Sequence, residues 1–156
     1  MYSLYVRSGR RSYHCRDITT DMASDPTFPY RVLIVDDIPE VREALRWALE
    51  NESDLVVVAE AATGVEALTC VTAFTPDVVI LDIELPVLDG YAVTHTLKAS
   101  ARPPVVVLLT VHSDSLSRQR AQDAGSDGFA EKGAGWPALI TEVRRALRAR
   151  GSQVRV

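Results

Sequence analysis

The sequence predicts an α/β protein built on a doubly wound, five-stranded parallel sheet in the order 2-1-3-4-5, with helices on both faces. Three observations carry this expectation. Continuous apolar runs at 32–35, 78–81 and 105–109 have the composition of strands buried on both sides. Between them lie longer stretches whose apolar residues recur at helical spacing. Glycine, proline and Asp-Gly punctuation separates the two kinds of segment. Consecutive parallel strands require right-handed crossovers, so the helices must cover both faces. Of the doubly wound arrangements, this order best fits the length.

The chain has 156 residues, enough for one domain with a real core. Its hydrophobic fraction of 47% is ordinary, and no apolar run approaches a membrane span. A net charge of -4 gives no electrostatic case for nucleic-acid binding. Two cysteines, Cys15 and Cys70, read as free thiols of a reducing cytoplasm, with Cys70 in the core. Residues 1–29 form an N-terminal extension expected to be disordered: Arg7, Arg10, Arg11 and Arg16 stand among polar residues without sustained period. A partner-binding tail and an upstream start, with Met22 the natural first residue, are competing readings. The folded domain is expected over 30–150 and a frayed tail over 151–156.

In chain order, Val32-Leu33-Ile34-Val35 is a buried strand ending at Asp36-Asp37. Pro39 opens a helix carrying Val41, Ala44, Leu45, Ala48 and Leu49. Residues 55–59 make a second strand. Thr63 is the expected N-cap of a helix to about Phe74, with Glu66 completing a capping box. Val78 to Asp82 is the third strand, followed by the turn signals Pro86 and Asp89-Gly90. A third helix carries Tyr91, Val93, Thr94 and Leu97. Residues 105–109 are the fourth strand, ending at Thr110. A polar helix over 113–124, anchored by Leu116 and Ala121, ends at Gly125. Gly128-Phe129-Ala130 begins a weak fifth strand leading to Lys132, and an amphipathic helix over 136–150 closes the domain.

In this flavodoxin-like order, strands one and three flank the switch point, so Asp36, Asp37 and Asp82 should meet in one crevice. Three carboxylates there repel strongly unless a cation neutralises them. Oxygen donors suit Mg²⁺ or Mn²⁺, and no Cys/His pattern suggests zinc. Thr110 and Lys132 end strands four and five on the same edge, where a hydroxyl and an ammonium can bind phosphoryl oxygens. Phosphoryl transfer needs this positioning and charge neutralisation, with Asp82 as nucleophile. Singly, Asp36 or Asp37 reads as a helix N-cap, Thr110 as a turn residue, Lys132 as a solvated charge and Asp82 as a loop acid. Their joint placement at strand carboxyl ends favours the functional reading.

From Arg31 to about Arg150 the chain resembles the receiver domain of two-component response regulators. The matching segments are Leu33-Ile34-Val35-Asp36-Asp37, Asp82-Ile83-Glu84-Leu85-Pro86 with Asp89-Gly90, Leu109-Thr110, and Ala124-Gly125-Ser126-Asp127-Gly128-Phe129 up to Lys132. The resemblance implies that Asp82 takes a phosphoryl group from a histidine kinase or phosphotransfer protein. Asp37, Asp82 and the backbone carbonyl of Glu84 would ligate Mg²⁺, with Asp36 acting through a water. Thr110 and Phe129 would be the switch pair that changes the contacts of a downstream protein partner. The module would then be a cytoplasmic signalling phosphoacceptor in a phosphorelay, not an enzyme.

Gly133 stands where many receivers carry proline, and Lys-Gly-Ala after Asp-Gly-Phe is closer to receivers of the LuxR-type helix-turn-helix subfamily. Leu85, Val111 and Glu84 also depart from the commonest pattern and bear on rates. After Arg150 too few residues remain for an output domain, so action by protein contact is expected, with no membrane, no direct nucleic acid and homodimerisation open. A Mg²⁺-dependent aspartyl-phosphate phosphohydrolase and a degenerate receiver acting without phosphorylation are the alternatives. Among weaker features, His95 is expected to be structural and His112 a candidate for the site mouth. Trp47 and Trp136 read as packing residues. Arg144, Arg145, Arg148 and Arg150 form a basic helix end.

Overall fold

The structure, a computed structural model, describes residues 29–153. The extension expected to be disordered lies almost wholly outside the described residues. The elements alternate as expected: β1 (Tyr30–Val35), α1 (Pro39–Glu50), β2 (Leu55–Ala61), α2 (Gly64–Phe74), β3 (Val78–Asp82), α3 (Gly90–Lys98), β4 (Val105–Thr110), α4 (Ser115–Ala124), β5 (Gly128–Glu131) and α5 (Trp136–Gln153). Every strand pair is parallel and the order is β2-β1-β3-β4-β5. Among the described residues no helix is long and apolar enough to cross a membrane.

The period of two along each strand divides the core. Val78 and Ile80 of β3 pack with Leu45, Leu49, Leu139 and Val143 of α1 and α5. Val79 and Leu81 face the other way, with Ala67, Cys70, Val93, Leu97 and Ala121 of α2, α3 and α4. β3 is buried at all five positions, so its apolar run cannot alternate with polar residues.

Several expectations need correction. α4 begins at Ser115, because the Asp114 carboxylate accepts from Ser117 N–H and caps the helix there. That phase buries Ala121 and leaves Leu116 67% exposed, so Leu116 is no anchor. Trp47 is 70% exposed, on the face of α1 opposite buried Leu45 and Leu49, and is not a packing residue. Trp136 does pack against the core. Gly151 does not end the last helix, which runs to Gln153. His95 is exposed, on the outer face of α3. Arg150 lies in the last turn of α5 as expected, whereas Arg144 and Arg145 also tie the helix to other elements. Arg144 binds Asp54 at 2.7 Å as well as Glu52, and Arg145 binds Glu142 at 2.8 Å and the Asp127 carbonyl at 2.7 Å.

Thr63 caps α2 by accepting from Glu66 N–H. The Glu66 carboxylate returns to Ala62 N–H at 2.8 Å, one residue before the position a capping box uses.

Candidate functional site

The carboxyl ends of β1, β3, β4 and β5 meet at one edge of the sheet. Asp36 follows β1, Asp82 and Thr110 are the last residues of β3 and β4, and Lys132 follows β5. Asp36, Asp82 and Thr110 are 1%, 3% and 2% exposed, whereas Asp37 faces solvent. One carboxylate oxygen from each of Asp36, Asp37 and Asp82 lies within 4.8 Å of the others. Three carboxylates with an opening on the Asp37 side are a hard oxygen donor set, and that set fits Mg²⁺.

Asp36 is not the N-cap of α1. Ile38 occupies the cap position without a side-chain bond, and the Asp36 Oδ1 accepts from Ile38 N–H at 2.9 Å. Arg42 of α1 donates to the Asp36 carbonyl at 2.6 Å. The Asp36 carboxylate is thereby held toward Lys132, whose Nζ is 2.7 Å from Asp36 Oδ2 and 3.3 Å from Asp82 Oδ2. Burial and the neighbouring Asp36 charge push the Asp82 carboxyl above the ordinary range, against the opposing pull of Lys132 and the Glu84 amide. Burial works to lower the Lys132 ammonium, but its bonds and attraction to Asp36 and Asp82 outweigh it and the net direction is upward.

Glu84 N–H donates to Asp82 Oδ1 at 3.1 Å and orients the carboxylate. Its own side chain points to solvent, 3.7 Å from His112 Nε2. The His112 ring is exposed beside Glu84, and the His112 backbone N–H donates to Thr110 Oγ1 at 3.0 Å. Phe129 lies on β5 opposite Leu108, partly buried among the α3 and α4 side of the core. The expected acids, hydroxyl and lysine are thus gathered at one edge, with Phe129 two strand positions behind the level of Thr110.

Two contributors were not read from the sequence. Gly90 looks like turn punctuation, yet it is the first residue of α3 and its amide donates to the Ile83 carbonyl at 2.9 Å. A Cβ there would stand 2.5 Å from the Asp82 carbonyl oxygen and 2.7 Å from Ile83 Cα. A glycine opening a helix is the signal that could have revealed this close approach. The second is a charged surround of Phe129: Arg118 of α4 stands over its ring, 5.1 Å from the centroid, and Glu142 of α5 accepts from its amide. Nothing local in the sequence relates residues 118, 129 and 142.

A doubly wound parallel sheet with a buried acid pair, a lysine and a hydroxyl at its switch point defines a phosphoryl-handling domain of the flavodoxin-like class. The response regulator receiver domain model matches residues 32–144, and the chain belongs to that family. It is a receiver domain of two-component signal transduction. The chain is similar to protein-glutamate methylesterase/protein-glutamine glutaminase 3 of Hahella chejuensis, 36% identical over 121 residues, covering 75% of this chain and 34% of that protein. It is 37% identical over 117 residues to the transcriptional regulatory protein KdpE of Mycobacterium tuberculosis, covering 75% of this chain and 50% of KdpE. The chain thus spans about half or less of these curated relatives. Among solved structures, a LuxR-family two-component response regulator from Aurantimonas aligns with TM-score 0.74 at 30% identity, over 78% of this chain and 86% of that one. The response regulator domain of Thermotoga maritima CheB aligns with TM-score 0.71 at 27% identity, over 77% and 97%.

Proposed function

We propose that Asp82 is the phosphoacceptor and that its donor is the phosphohistidine of a sensor histidine kinase or phosphotransfer protein. The observation that carries this reading is the acid pair Asp36 and Asp82, buried at the switch point and sharing one lysine. Two buried carboxylates so close are costly for a fold, and a site that receives a phosphoryl group accounts for them. A carboxylate oxygen of Asp82 forms the new O–P bond as the donor's N–P bond breaks, and the imidazole leaves with the electron pair. Lys132 and the Thr110 hydroxyl bind phosphoryl oxygens and offset the charge that moves onto them. Hydrolysis reverses the state: water oxygen bonds phosphorus, the bond to Asp82 breaks, and the carboxylate returns.

Asp36, Asp37, Asp82 and the backbone carbonyl of Glu84 would hold Mg²⁺, which when bound neutralises phosphoryl charge. Thr110 and Phe129 form the switch pair, the hydroxyl moving onto the phosphoryl group and the ring turning inward. The surface of α4 and β5 then changes its protein partner. In this reading the chain is a cytoplasmic signalling phosphoacceptor rather than a turnover enzyme.

The test is intact-mass analysis after incubation with acetyl phosphate and Mg²⁺, for the wild type and Asp82→Asn. One phosphoryl adduct in the wild type alone is expected. An adduct in both proteins would mean another residue is the acceptor. No adduct in the wild type, with no beryllofluoride binding, would point to a receiver that acts without phosphorylation.

A further inference from the structure

Phe129 is held from both flanking helices. The Arg118 guanidinium of α4 lies over its ring at 5.1 Å, and Arg118 Nε also donates to the Ser113 carbonyl at 3.4 Å. From α5, Glu142 Oε1 accepts from Phe129 N–H at 3.2 Å. Arg145 fixes that carboxylate through two bonds of 2.8 Å and reaches the Asp127 carbonyl just before β5. The ring is therefore capped by one cation while its backbone is pinned by a carboxylate that a second cation orients.

We propose that Arg118 is a positioning residue for the switch: its stacking on Phe129 holds the ring beneath α4 and opposes its inward turn toward Thr110. The inference rests on the reading of Thr110 and Phe129 as the switch pair. Thr110 is 2% exposed and lies in the buried layer, whereas the ring is only partly buried and Arg118 is exposed. A ring that turns toward Thr110 leaves the guanidinium. Arg118 is carried on the exposed face of α4, opposite in direction to the buried layer that holds Thr110, and its Nε bond to the Ser113 carbonyl favours the outward position. A contact made in only one of two arrangements biases the equilibrium by its own free energy, and by linkage it weakens whatever binds the other arrangement. The phosphoryl site and the exposed face of α4 are thus coupled through one cation–π contact.

The experiment measures beryllofluoride affinity in the presence of Mg²⁺ for the full chain, Arg118→Met and Arg118→Lys. Methionine keeps a flexible stem and removes the charge; lysine keeps the charge. Arg118→Met should bind about two- to fivefold more tightly than the wild type, the scale of an exposed cation–π contact. Arg118→Lys should stay within about twofold of the wild type on the same reasoning. In the free protein, the Phe129 ring resonances of Arg118→Met should move toward their beryllofluoride-bound positions, which a purely structural loss would not produce. Affinity in Arg118→Met no tighter than the wild type, or equal tightening in Arg118→Lys, overturns the inference while leaving the phosphoacceptor reading intact. Failure of the wild type itself to bind beryllofluoride would instead remove the reading on which the inference rests.

Discussion

Lys132 Nζ stands 2.7 Å from Asp36 Oδ2, closer than its 3.3 Å separation from Asp82 Oδ2, so the ammonium is anchored by the acid after β1 and leans on the acid of β3. Asp82 is left with burial and a neighbouring negative charge that its lysine only partly offsets.

This arrangement predicts a conflict between function and stability. In chelator, Asp82→Asn should unfold at higher denaturant concentration than the wild type, by about 1 kcal/mol, a usual size for relieving a functional site. The sign follows from the raised carboxyl: the folded state holds the Asp82 proton more tightly than the unfolded chain, so wild-type stability falls as pH rises from 3.8 through the higher folded value. The advantage of Asp82→Asn should be complete above that window and vanish below it. Lys132→Met, which strips the counter-charge from both acids, should destabilise by about 3 kcal/mol. Equilibrium denaturation across pH checks both.

Gly90→Ala should damage the site through packing alone. The added methyl meets the Asp82 carbonyl and the Ile83 Cα, both backbone, and neither can swing aside as a flexible side chain would. A loss of about 1–3 kcal/mol is expected, together with slower phosphorylation by acetyl phosphate as the β3–α3 loop shifts. Retention of both wild-type stability and rate would show that the loop yields at no cost.

Among the described residues two non-glycine positions sit in left-handed backbone: Thr75, with φ 44° at the C-cap of α2, and Val87, with φ 68° in the β3–α3 loop. Both are β-branched, and Val87 is fully exposed, so neither conformation is offset by burial of its own side chain. Thr75→Gly and Val87→Asn should each raise stability, by roughly 1 kcal/mol. Thermal unfolding of the single and double variants would check the gain and its additivity.

The tie between α5 and the α1–β2 loop should be pH-dependent. The Arg144 hydrogen bond holds the Asp54 carboxyl below its ordinary value. A depressed carboxyl contributes stability above the unfolded value of 3.8, and the contribution is lost as pH falls through the folded value. The Asp54 side chain is 44% exposed, so solvent screening keeps the effect of Arg144→Gln to about 1 kcal/mol or less at pH 7. The difference between the two proteins should close as the pH falls below 3.8. A constant difference across that range would assign the effect to lost packing of the arginine stem.

Several features are decided within one element and are therefore legible in its residues. The run at Val78–Asp82 is buried on both faces because it is the central strand, and its closing carboxylate lies at the switch point. Thr63 and Gly125 mark the ends of α2 and α4 through hydrogen bonds within a few residues of sequence. Apolar character alone does not assign a helix face: Trp47 and Leu116 are exposed because the burial of Leu45, Leu49 and Ala121 fixes the phase of their helices against them.

The strand–helix alternation, the sheet class, and the acids, hydroxyl and lysine at the strand ends are all legible in the amino-acid order. These depend on periodicity and on residue type at strand termini. Long-range packing selects Asp36 over Asp82 as the nearer partner of Lys132, leaves no room for a side chain at Gly90 beside the Asp82 carbonyl, and brings Arg118 and Glu142 to Phe129 from two different helices. The physical reason is range: a hydrogen bond between residues 36 and 132 spans 96 positions of chain, and its partners are chosen by how the strands stack.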